Sequence, residues 1–245
     1  MISKIVSKTN RRIVDASKLK SAKGREEAGL FLVEGFHLLE MALREKVVER
    51  IFAAEKITDV DVDQYLVTPD VLSKLAASKT PQGVVAVCHK KKARAITADR
   101  VVYLDEINDP GNMGAILRTA LAFGYRDIII SENSVSPYND KAISASQGAL
   151  FAVNIVEGDV DTIKSLKGEG YQIISTALGE SVPLAGFVPR GKHVVLFGNE
   201  TRGVSAMALA LSDSIVRIAI EGIDSLNVAV ASGIVLYELS KTEGK

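Results

Sequence analysis

The feature that most constrains the fold is a regular alternation of short apolar runs and longer amphipathic runs after residue 100. Residues 101–104, 127–131 and 194–197 have the length and the β-branched side chains typical of buried strands. Alternating strands and helices predict a parallel sheet covered by helices, because neighbouring parallel strands need a crossover connection. Open parallel sheets bind ligands beyond the carboxyl ends of their strands, so the loops there are the sites to examine.

The other elements follow from the same patterns. We predict strands at 151–156, 171–176 and 215–220 and helices at 114–123, 141–149, 162–166 and 225–240. The first part of the chain predicts a smaller α/β unit that closes with a strand at 84–87. A polar segment near residues 93–99 separates the two parts, so we expect domains at 1–93 and 99–245.

Composition excludes several classes of protein. The chain has 245 residues, 47% of them hydrophobic, which supports a core without disulfide or metal support. A single cysteine, Cys88, and three scattered histidines predict neither an internal disulfide nor a metal site. No apolar run approaches the roughly 20 residues of a membrane span, and the N-terminus lacks a secretory signal. We therefore expect a cytoplasmic protein without membrane contact.

The net charge is zero, but the charges are unevenly distributed. The first 25 residues carry eight lysines and arginines against one acidic residue, Asp15. A basic end on a neutral protein is suited to a polyanion. A solvated N-terminal helix is the alternative. The candidate phosphate contacts are Arg11, Arg12, Lys23 and Arg25.

The first of three polar clusters, residues 105–120, follows the first predicted strand of the large sheet. A proline–glycine pair forces a turn, and Asn112 is expected to cap the helix that follows. Arg118 follows Asn112 by six residues, near the same helix face and within two turns. The apolar residues around Arg118 predict that its side chain is partly enclosed. The alternative is a capped helix with one surface arginine.

The second cluster, residues 198–205, follows the strand predicted at 194–197. Glycines at both ends let the backbone approach a ligand closely. The spacing resembles a phosphate-binding loop, but Val204 stands where that loop requires lysine, and the chain has no dinucleotide-binding fingerprint. The alternative is an ordinary strand-to-helix turn capped by Ser205.

The third cluster, residues 218–231, contains a turn at Gly222 followed by the last predicted helix. Ser225 is expected to cap that helix, and Asn227 in its first turn would offer an amide to a site. The helix is apolar on most faces, so it must be buried in its own core or against a second subunit.

Together these clusters resemble the three motifs of the SpoU/TrmH-type ribose 2′-O-methyltransferases of the SPOUT class. The first matches Asn-x-Gly-x-x-x-Arg-Thr-Ala, the second Gly-Asn-Glu-x-x-Gly and the third Ser-Leu-Asn-Val. Residues 24–25, 31–35 and 81–84 resemble the family's N-terminal substrate-binding domain, so nearly the whole chain is covered. The sequence departs from the family pattern at Gln147, Ala219 and Asp224.

The resemblance implies a C-terminal trefoil-knotted, parallel-sheet methyltransferase domain, a small ribosomal-protein-like N-terminal domain that binds RNA, and a homodimer. It implies S-adenosylmethionine as cofactor and 2′-O-methylation of RNA ribose, and the two-domain layout favours ribosomal over transfer RNA. The implied cofactor-binding residues are Thr176, Leu196, Gly198, Asn199, Gly203, Ile218, Ile220, Ser225 and Leu226. The implied catalytic residues are Asn112, Arg118, Glu200, Ser225 and Asn227.

The family casts Arg118 as the group that activates the ribose hydroxyl. An arginine pKa above about 12 makes a free guanidinium a poor base at neutral pH. We therefore expect Arg118 to clamp an RNA phosphate and stabilise the developing alkoxide, held in place by the other four catalytic residues. Two alternatives are a knotted RNA-binding protein without catalysis and a doubly wound enzyme for a small substrate.

Overall fold

The protein is described by a computed structural model that covers residues 2–177 and 181–241. Its chain divides into two compact units. The first comprises Met1–Lys92 together with Tyr138–Phe151, and the second comprises Ala93–Pro137 and Ala152–Lys245. Residues 138–151, predicted with the second domain, thus pack in the first unit. The predicted domain limits of 1–93 and 99–245 stay a prediction.

The first unit is built on a five-stranded mixed sheet. Its strands are β1 (Ile2–Ile5), β2 (Leu30–Glu34), β3 (Val48–Ala53), β4 (Asp63–Val67) and β5 (Val84–His89), in the order β1-β4-β3-β5-β2. Its helices are α1 (Arg11–Lys18), α2 (Ala22–Ala28), α3 (Phe36–Arg44), α4 (Pro69–Leu75) and α6 (Asp140–Ser146). A 3₁₀ turn at Ala149–Phe151 follows α6, and the rings of Phe31 and Phe151 stack with centroids 6.3 Å apart.

The second unit is built on a seven-stranded sheet in which all neighbouring strands are parallel. Its strands are β6 (Arg100–Asp105), β7 (Asp127–Ile130), β8 (Asn154–Glu157), β9 (Gln172–Thr176), β10 (Val182–Pro183), β11 (His193–Gly198) and β12 (Ser214–Arg217), in the order β10-β12-β9-β11-β6-β7-β8. Its helices are α5 (Pro110–Ala122), α7 (Val160–Gly168), α8 (Ala206–Leu209) and α9 (Val228–Ser240). The predicted α/β class with a parallel sheet is confirmed.

Buried apolar side chains from the strands and from α7 form the core of this second unit. Tyr103, Ile129, Ile173 and Leu196 are among its fully buried members. Val, Ile and Leu occupy both faces of the central strands, as expected for strands covered on both sides. No helix within residues 2–177 and 181–241 is long and apolar enough to cross a membrane.

Two predicted helix caps are wrong, and both corrections bear on the site. Helix α5 begins at Pro110 and is capped by Asp109, whose carboxylate accepts from the backbone N–H of Asn112 at 2.8 Å. Asn112 therefore lies inside the first turn. Helix α9 is capped by Asn227, not by Ser225. Helix α5 begins earlier than predicted because Pro110 occupies its first position, where proline is tolerated since the missing amide would have no partner within the helix. Ser205 caps α8, as predicted.

Candidate active site

The three polar clusters meet at one edge of the large sheet. Strands β12, β9, β11 and β6 are consecutive neighbours, although they are distant in sequence. Gly198 at the end of β11 lies beside Asp105 at the end of β6, and Val216 of β12 lies beside Thr176 of β9. Because all four strands run in the same direction, the loops that follow them gather at their common carboxyl edge.

Three side chains, one from each cluster, form a continuous hydrogen-bond chain at this edge. The Asn112 amide Nδ2 donates to Glu200 Oε1 at 2.9 Å. The Asn227 amide Nδ2 donates to Asn112 Oδ1 at 2.9 Å. Asn227 Oδ1 in turn accepts from the backbone amides of Ala229 and Val230 as it caps α9. Every member of the chain is therefore oriented by a partner on another element.

Glu200 is held in its ionised form by this arrangement. Its partial burial acts to raise the pKa of the carboxyl, but hydrogen bonds from Asn112, from its own backbone amide and from the amides of Asp109 and Asn108 prevail and lower that pKa. The stabilisation that these donors give is fully present above the ordinary pKa and is lost as the pH falls through the lowered folded-state pKa. Near neutral pH the site carries a fixed negative charge.

We expect Asn112→Asp to destabilise the protein by about 1–3 kcal/mol near pH 7. The Asn112 amide donates to Glu200 and accepts from Asn227, and an ionised carboxylate at this position cannot donate. Aspartate would instead place a second carboxylate against Glu200, which raises the pKa of one of the two groups. The penalty should therefore shrink as the pH is lowered from 7 towards 4, because one carboxyl takes up a proton and becomes a donor. Thermal melts across this pH range measure it.

Asn112→Ala is the matched control, because it removes the same hydrogen bonds without adding a charge. Its destabilisation should vary less with pH than that of Asn112→Asp. If the destabilisation by the two variants depends on pH in the same way, charge repulsion at Glu200 is not the cause of the destabilisation by Asn112→Asp.

The loop after β11 is held by its own backbone and by one buried amide. Asn199 Nδ2 donates to the Glu106 carbonyl at 2.9 Å, and its Oδ1 accepts from the Thr201 and Arg202 amides at 2.9 and 3.1 Å. The Gly203 amide donates to the Asn199 carbonyl at 2.8 Å. The loop is therefore a tight turn that Asn199 holds in shape.

Glu106 and Asp105 belong to the site although they were not predicted. Glu106 has a left-handed backbone with φ +56°, and its carboxylate pairs with Arg202 of the neighbouring loop. Asp105 Oδ2 accepts from the Ser205 amide at 2.8 Å. Left-handed conformations are costly for residues other than glycine, so the pairing with Arg202 offsets strain in this turn. No local signal in the sequence identifies such partners.

A cavity of about 410 Å³ lies between these loops, a volume typical of small-ligand sites. It is lined by eight of the nine predicted cofactor-binding residues: Thr176, Gly198, Asn199, Gly203, Ile218, Ile220, Ser225 and Leu226. Leu196 is the exception, because its side chain is buried in the core of the sheet. Its carbonyl nevertheless accepts from the Thr176 hydroxyl, a cavity residue, at 3.0 Å. Arg202 and Arg217 add two cations to the lining.

Arg118 does not join the hydrogen-bond chain of Asn112, Glu200 and Asn227. Its side chain is exposed, so the expected partial enclosure is wrong for the single chain. Six residues turn a helix by about 600°, which places Arg118 on a different face from Asn112. Within the described part of the chain, its guanidinium has no hydrogen-bond or ion-pair partner. The guanidinium is thus available to an anion from outside.

The basic candidates near the N-terminus fall into two kinds. The Arg11 and Lys23 side chains are 96% and 84% exposed, with only long ion pairs of 3.8 Å to neighbours on their own helices. Arg12 is exposed and donates from Nε to the Tyr65 hydroxyl at 3.1 Å. Arg25, in contrast, is 6% exposed. Only the first three present their charge on the surface.

A parallel sheet with a ligand cavity and a polar network at one carboxyl edge defines an α/β protein of the ligand-binding type. The family model of the SpoU rRNA Methylase family matches residues 99–237, and that of the MRM3-like substrate binding domain matches residues 10–86. The chain belongs to the SpoU rRNA methylase family. The family resemblance inferred from the three motifs is confirmed.

Relatives match along nearly the whole chain. The chain is 31% identical to the 23S rRNA (guanosine(2553)-2′-O)-methyltransferase RlmP of Bacillus subtilis, over 97% of this chain and 99% of that one. The AdoMet-bound rRNA methyltransferase from Sinorhizobium meliloti has a TM-score of 0.90 at 28% identity, over 100% and 99% of the two chains. The methyltransferase AviRb from Streptomyces viridochromogenes, in complex with AdoMet, has a TM-score of 0.85 at 26% identity, over 96% and 100%.

Proposed function

We propose that this protein transfers a methyl group from S-adenosylmethionine to a ribose 2′-hydroxyl of ribosomal RNA. The observation that carries the proposal is the convergence of Asn112, Glu200 and Asn227 in one hydrogen-bond chain beside a cavity of cofactor size. The family membership and two relatives, which are named as 23S rRNA 2′-O-methyltransferases, support the same reaction.

The cavity suits the two chemical halves of S-adenosylmethionine. Ile218, Ile220 and Leu226 provide apolar surface for a flat heterocycle, and the glycine backbone at 198 and 203 permits close approach. A Cβ at Gly203 would point into open space, so that position leaves room beside the loop. Ser225 and Thr176 supply hydroxyl groups for polar parts of the cofactor.

The protein residues supply position and electrostatics. When bound, S-adenosylmethionine supplies a methyl group that is activated by an excellent leaving group, a sulfonium sulfur. Asn112 and Asn227 orient the ribose, and Glu200 fixes Asn112 through its carboxylate. The residues of the cavity would hold the cofactor, Asn112 and Asn227 would hold the 2′-oxygen against the methyl carbon that it would supply, and the hydroxyl proton would pass to water as the bond to sulfur breaks. Alignment of the three atoms lowers the barrier most, since intramolecular positioning is worth several kcal/mol.

Arg118 acts on the RNA side of the site. Its guanidinium cannot take the hydroxyl proton near neutral pH, since its pKa lies above about 12. It contacts a phosphate next to the target ribose and stabilises the charge that develops on the 2′-oxygen. The exposed, unpaired state of the guanidinium in the described chain supports this role, because no internal partner competes for it.

The active form is a homodimer, with α9 at its interface. Val230, Ile234 and Tyr237 on this helix are 53%, 39% and 50% exposed. Such an apolar surface on a helix is typical of a subunit contact. Sedimentation at micromolar concentrations tests the dimer, and Ile234→Glu should give monomers.

The chain organisation follows the family. Residues 1–93 form the RNA-selecting domain and residues 99–245 form a trefoil-knotted methyltransferase domain in the cytoplasm. Transfer RNA as the substrate, or RNA binding without catalysis, are the alternative functions.

The proposed function is tested by methyl transfer to RNA from cells that lack the gene. We expect tritium from labelled S-adenosylmethionine to enter 23S rRNA, at one ribose that resists alkaline cleavage after methylation. Label in transfer RNA alone would show that the substrate is transfer RNA, not ribosomal RNA. Cofactor binding without label in any RNA fraction would favour the alternative in which the protein binds RNA without catalysis.

Neutralising the exposed basic residues should make RNA binding less dependent on salt. Phosphate contacts release counterions, so each one adds about 0.7–0.9 to the slope of log affinity against log salt. We expect the triple variant Arg11→Gln, Arg12→Gln, Lys23→Gln to reduce that slope by roughly 2. Lys164→Gln, an exposed lysine on α7, is the matched control and should leave the slope unchanged. An unaltered slope in the triple variant would exclude these residues as phosphate contacts.

A further inference from the structure

The first unit contains a second cavity, of about 500 Å³, at a distance in sequence from the three motifs. Its wall combines the end of α1, strand β2, the loop after α4 and the start of α6. Leucines at 19, 32, 38 and 75 and Ile143 make part of the lining apolar. A volume of this size and mixed lining is that of a ligand site rather than a packing defect.

A buried arginine with unused donors lines this cavity. Arg25 is 6% exposed, and its Nη1 donates to the carbonyls of Leu19 and Lys20 at 3.2 and 3.0 Å. Nε is completely buried, and among the described residues neither Nε nor Nη2 has an acceptor. No described carboxylate lies within ion-pair distance of the guanidinium. Burial lowers the pKa of Arg25, and the more distant Asp140 opposes that effect.

A buried cation without a counter-ion is costly, so its placement needs a reason. The two carbonyls at the end of α1 offset part of the cost through the helix dipole. The backbone beside Arg25 also packs closely against the end of α1, because a Cβ at Gly24 would lie 2.1 Å from the Lys18 carbonyl oxygen. The guanidinium is therefore preorganised, with Nη2 left to meet an anion.

The other charges of the lining favour the same kind of ligand. The Lys141 side chain is exposed and has no hydrogen-bond or ion-pair partner in the described ranges. Glu34 cannot act as a further acceptor, because its two oxygens already accept from the amides of residues 77, 78 and 82 and from the Ser78 hydroxyl. Asp140 is the one remaining acidic side chain of the lining. The lining thus holds three basic side chains against two acidic ones.

We propose that this cavity binds one unpaired nucleotide of the RNA substrate, with a phosphate on Arg25 and Lys141 and the base on the apolar lining. Arginine is suited to phosphate, and in Arg25 the donor left to meet one is Nη2, because Nη1 is bound to two carbonyls and Nε is buried. Proteins that read RNA by sequence bind splayed bases on aromatic and apolar surfaces, and Tyr138 adds a ring to this wall. The proposal rests on the proposed function, because it assigns the cavity to the substrate of that reaction.

Three variants test the proposal by separate routes. Lys141→Ala removes an exposed, unpartnered charge and is expected to fold normally. Arg25→Met removes the buried charge with similar volume. Ser144→Trp places a bulky ring on the cavity wall at an exposed position of α6 without changing any charge. Each should raise the KM for ribosomal RNA, by about tenfold for Arg25→Met and Ser144→Trp and several-fold for Lys141→Ala. The Kd for S-adenosylmethionine should stay as in the wild type.

Lys164→Ala in the second unit is the matched control and should leave the KM for RNA unchanged. An unchanged KM for RNA in Lys141→Ala and Ser144→Trp would overturn the proposal, whatever the folding of Arg25→Met. The proposal would also be overturned if the wild type binds the four 5′-nucleoside monophosphates but none of the variants changes the KM for RNA. If the wild type methylates no RNA, anisotropy with labelled 23S rRNA fragments still decides: equal affinities for wild type and variants refute the cavity, and a tenfold loss supports it.

Discussion

Arg118→Ala is expected to fold, bind S-adenosylmethionine and lose methyl transfer. Removing a preorganised cation from a site of developing negative charge lowers kcat by about 10²–10³-fold. The fold should be unaffected, because the side chain is exposed and has no partner among the residues that the structure describes. Substitutions at such surface positions change the free energy of unfolding by about 0.5 kcal/mol at most. Single-turnover methyl transfer and calorimetric titration with cofactor measure the two effects separately.

Arg126→Ala is the matched control for this prediction. Arg126 is also an exposed arginine of the second unit, but it lies just before β7, at the amino edge of the sheet. It should retain full turnover. Arg118→Lys should recover only part of the activity, because lysine carries the charge without the planar fork. Turnover of Arg118→Ala within about twofold of the wild type would remove Arg118 from the catalytic set.

Gly198→Ala is expected to have the largest effect on stability. A Cβ at Gly198 would lie 2.1 Å from the carbonyl carbon of Gly203 and from the nitrogen of Val204. Both are backbone atoms, so no side-chain rotation can relieve the overlap. Overpacking of this kind costs about 3 kcal/mol or more, which lowers the melting temperature by roughly 6–12 °C in a chain of this size. Cofactor affinity should fall as well, because the displaced loop lines the cavity.

Two other glycines separate overlap from backbone strain. Gly168→Ala on α7 meets no atom within 4 Å and has an ordinary helical conformation, so its melting temperature should stay at or slightly above that of the wild type. Gly203→Ala also meets open space, but its φ of +70° is unfavourable for alanine, so a loss of about 1 kcal/mol is expected. Equal melting temperatures for the Gly198 and Gly168 variants would contradict the overlap.

Several features of the fold were accessible from local patterns. The apolar runs at 101–104, 127–131 and 194–197 correspond to β6, β7 and β11, and the alternation predicted their parallel pairing. Strands buried on both faces are recognisable because nearly every residue in them is apolar. Helix starts were less predictable: Asn112 and Ser225 are plausible caps by residue type, but Asp109 and Asn227 fill those positions. Several residues near a helix start can serve, and packing selects one of them.

The residues of the three motifs, and their positions at strand ends, were determined by the sequence alone. Which of them meet was decided by the strand order. Asn112 contacts Glu200, 88 residues away, because β6 and β11 are neighbours in the sheet, and it contacts Asn227, 115 residues away, because α9 packs against α5. The tertiary structure also exposed Arg118, which the sequence predicted to be partly enclosed, and buried Arg25, which the sequence grouped with the basic residues Arg11, Arg12 and Lys23. Local periodicity reports which face of an element is buried, whereas a side chain's partner depends on contacts between elements distant along the chain.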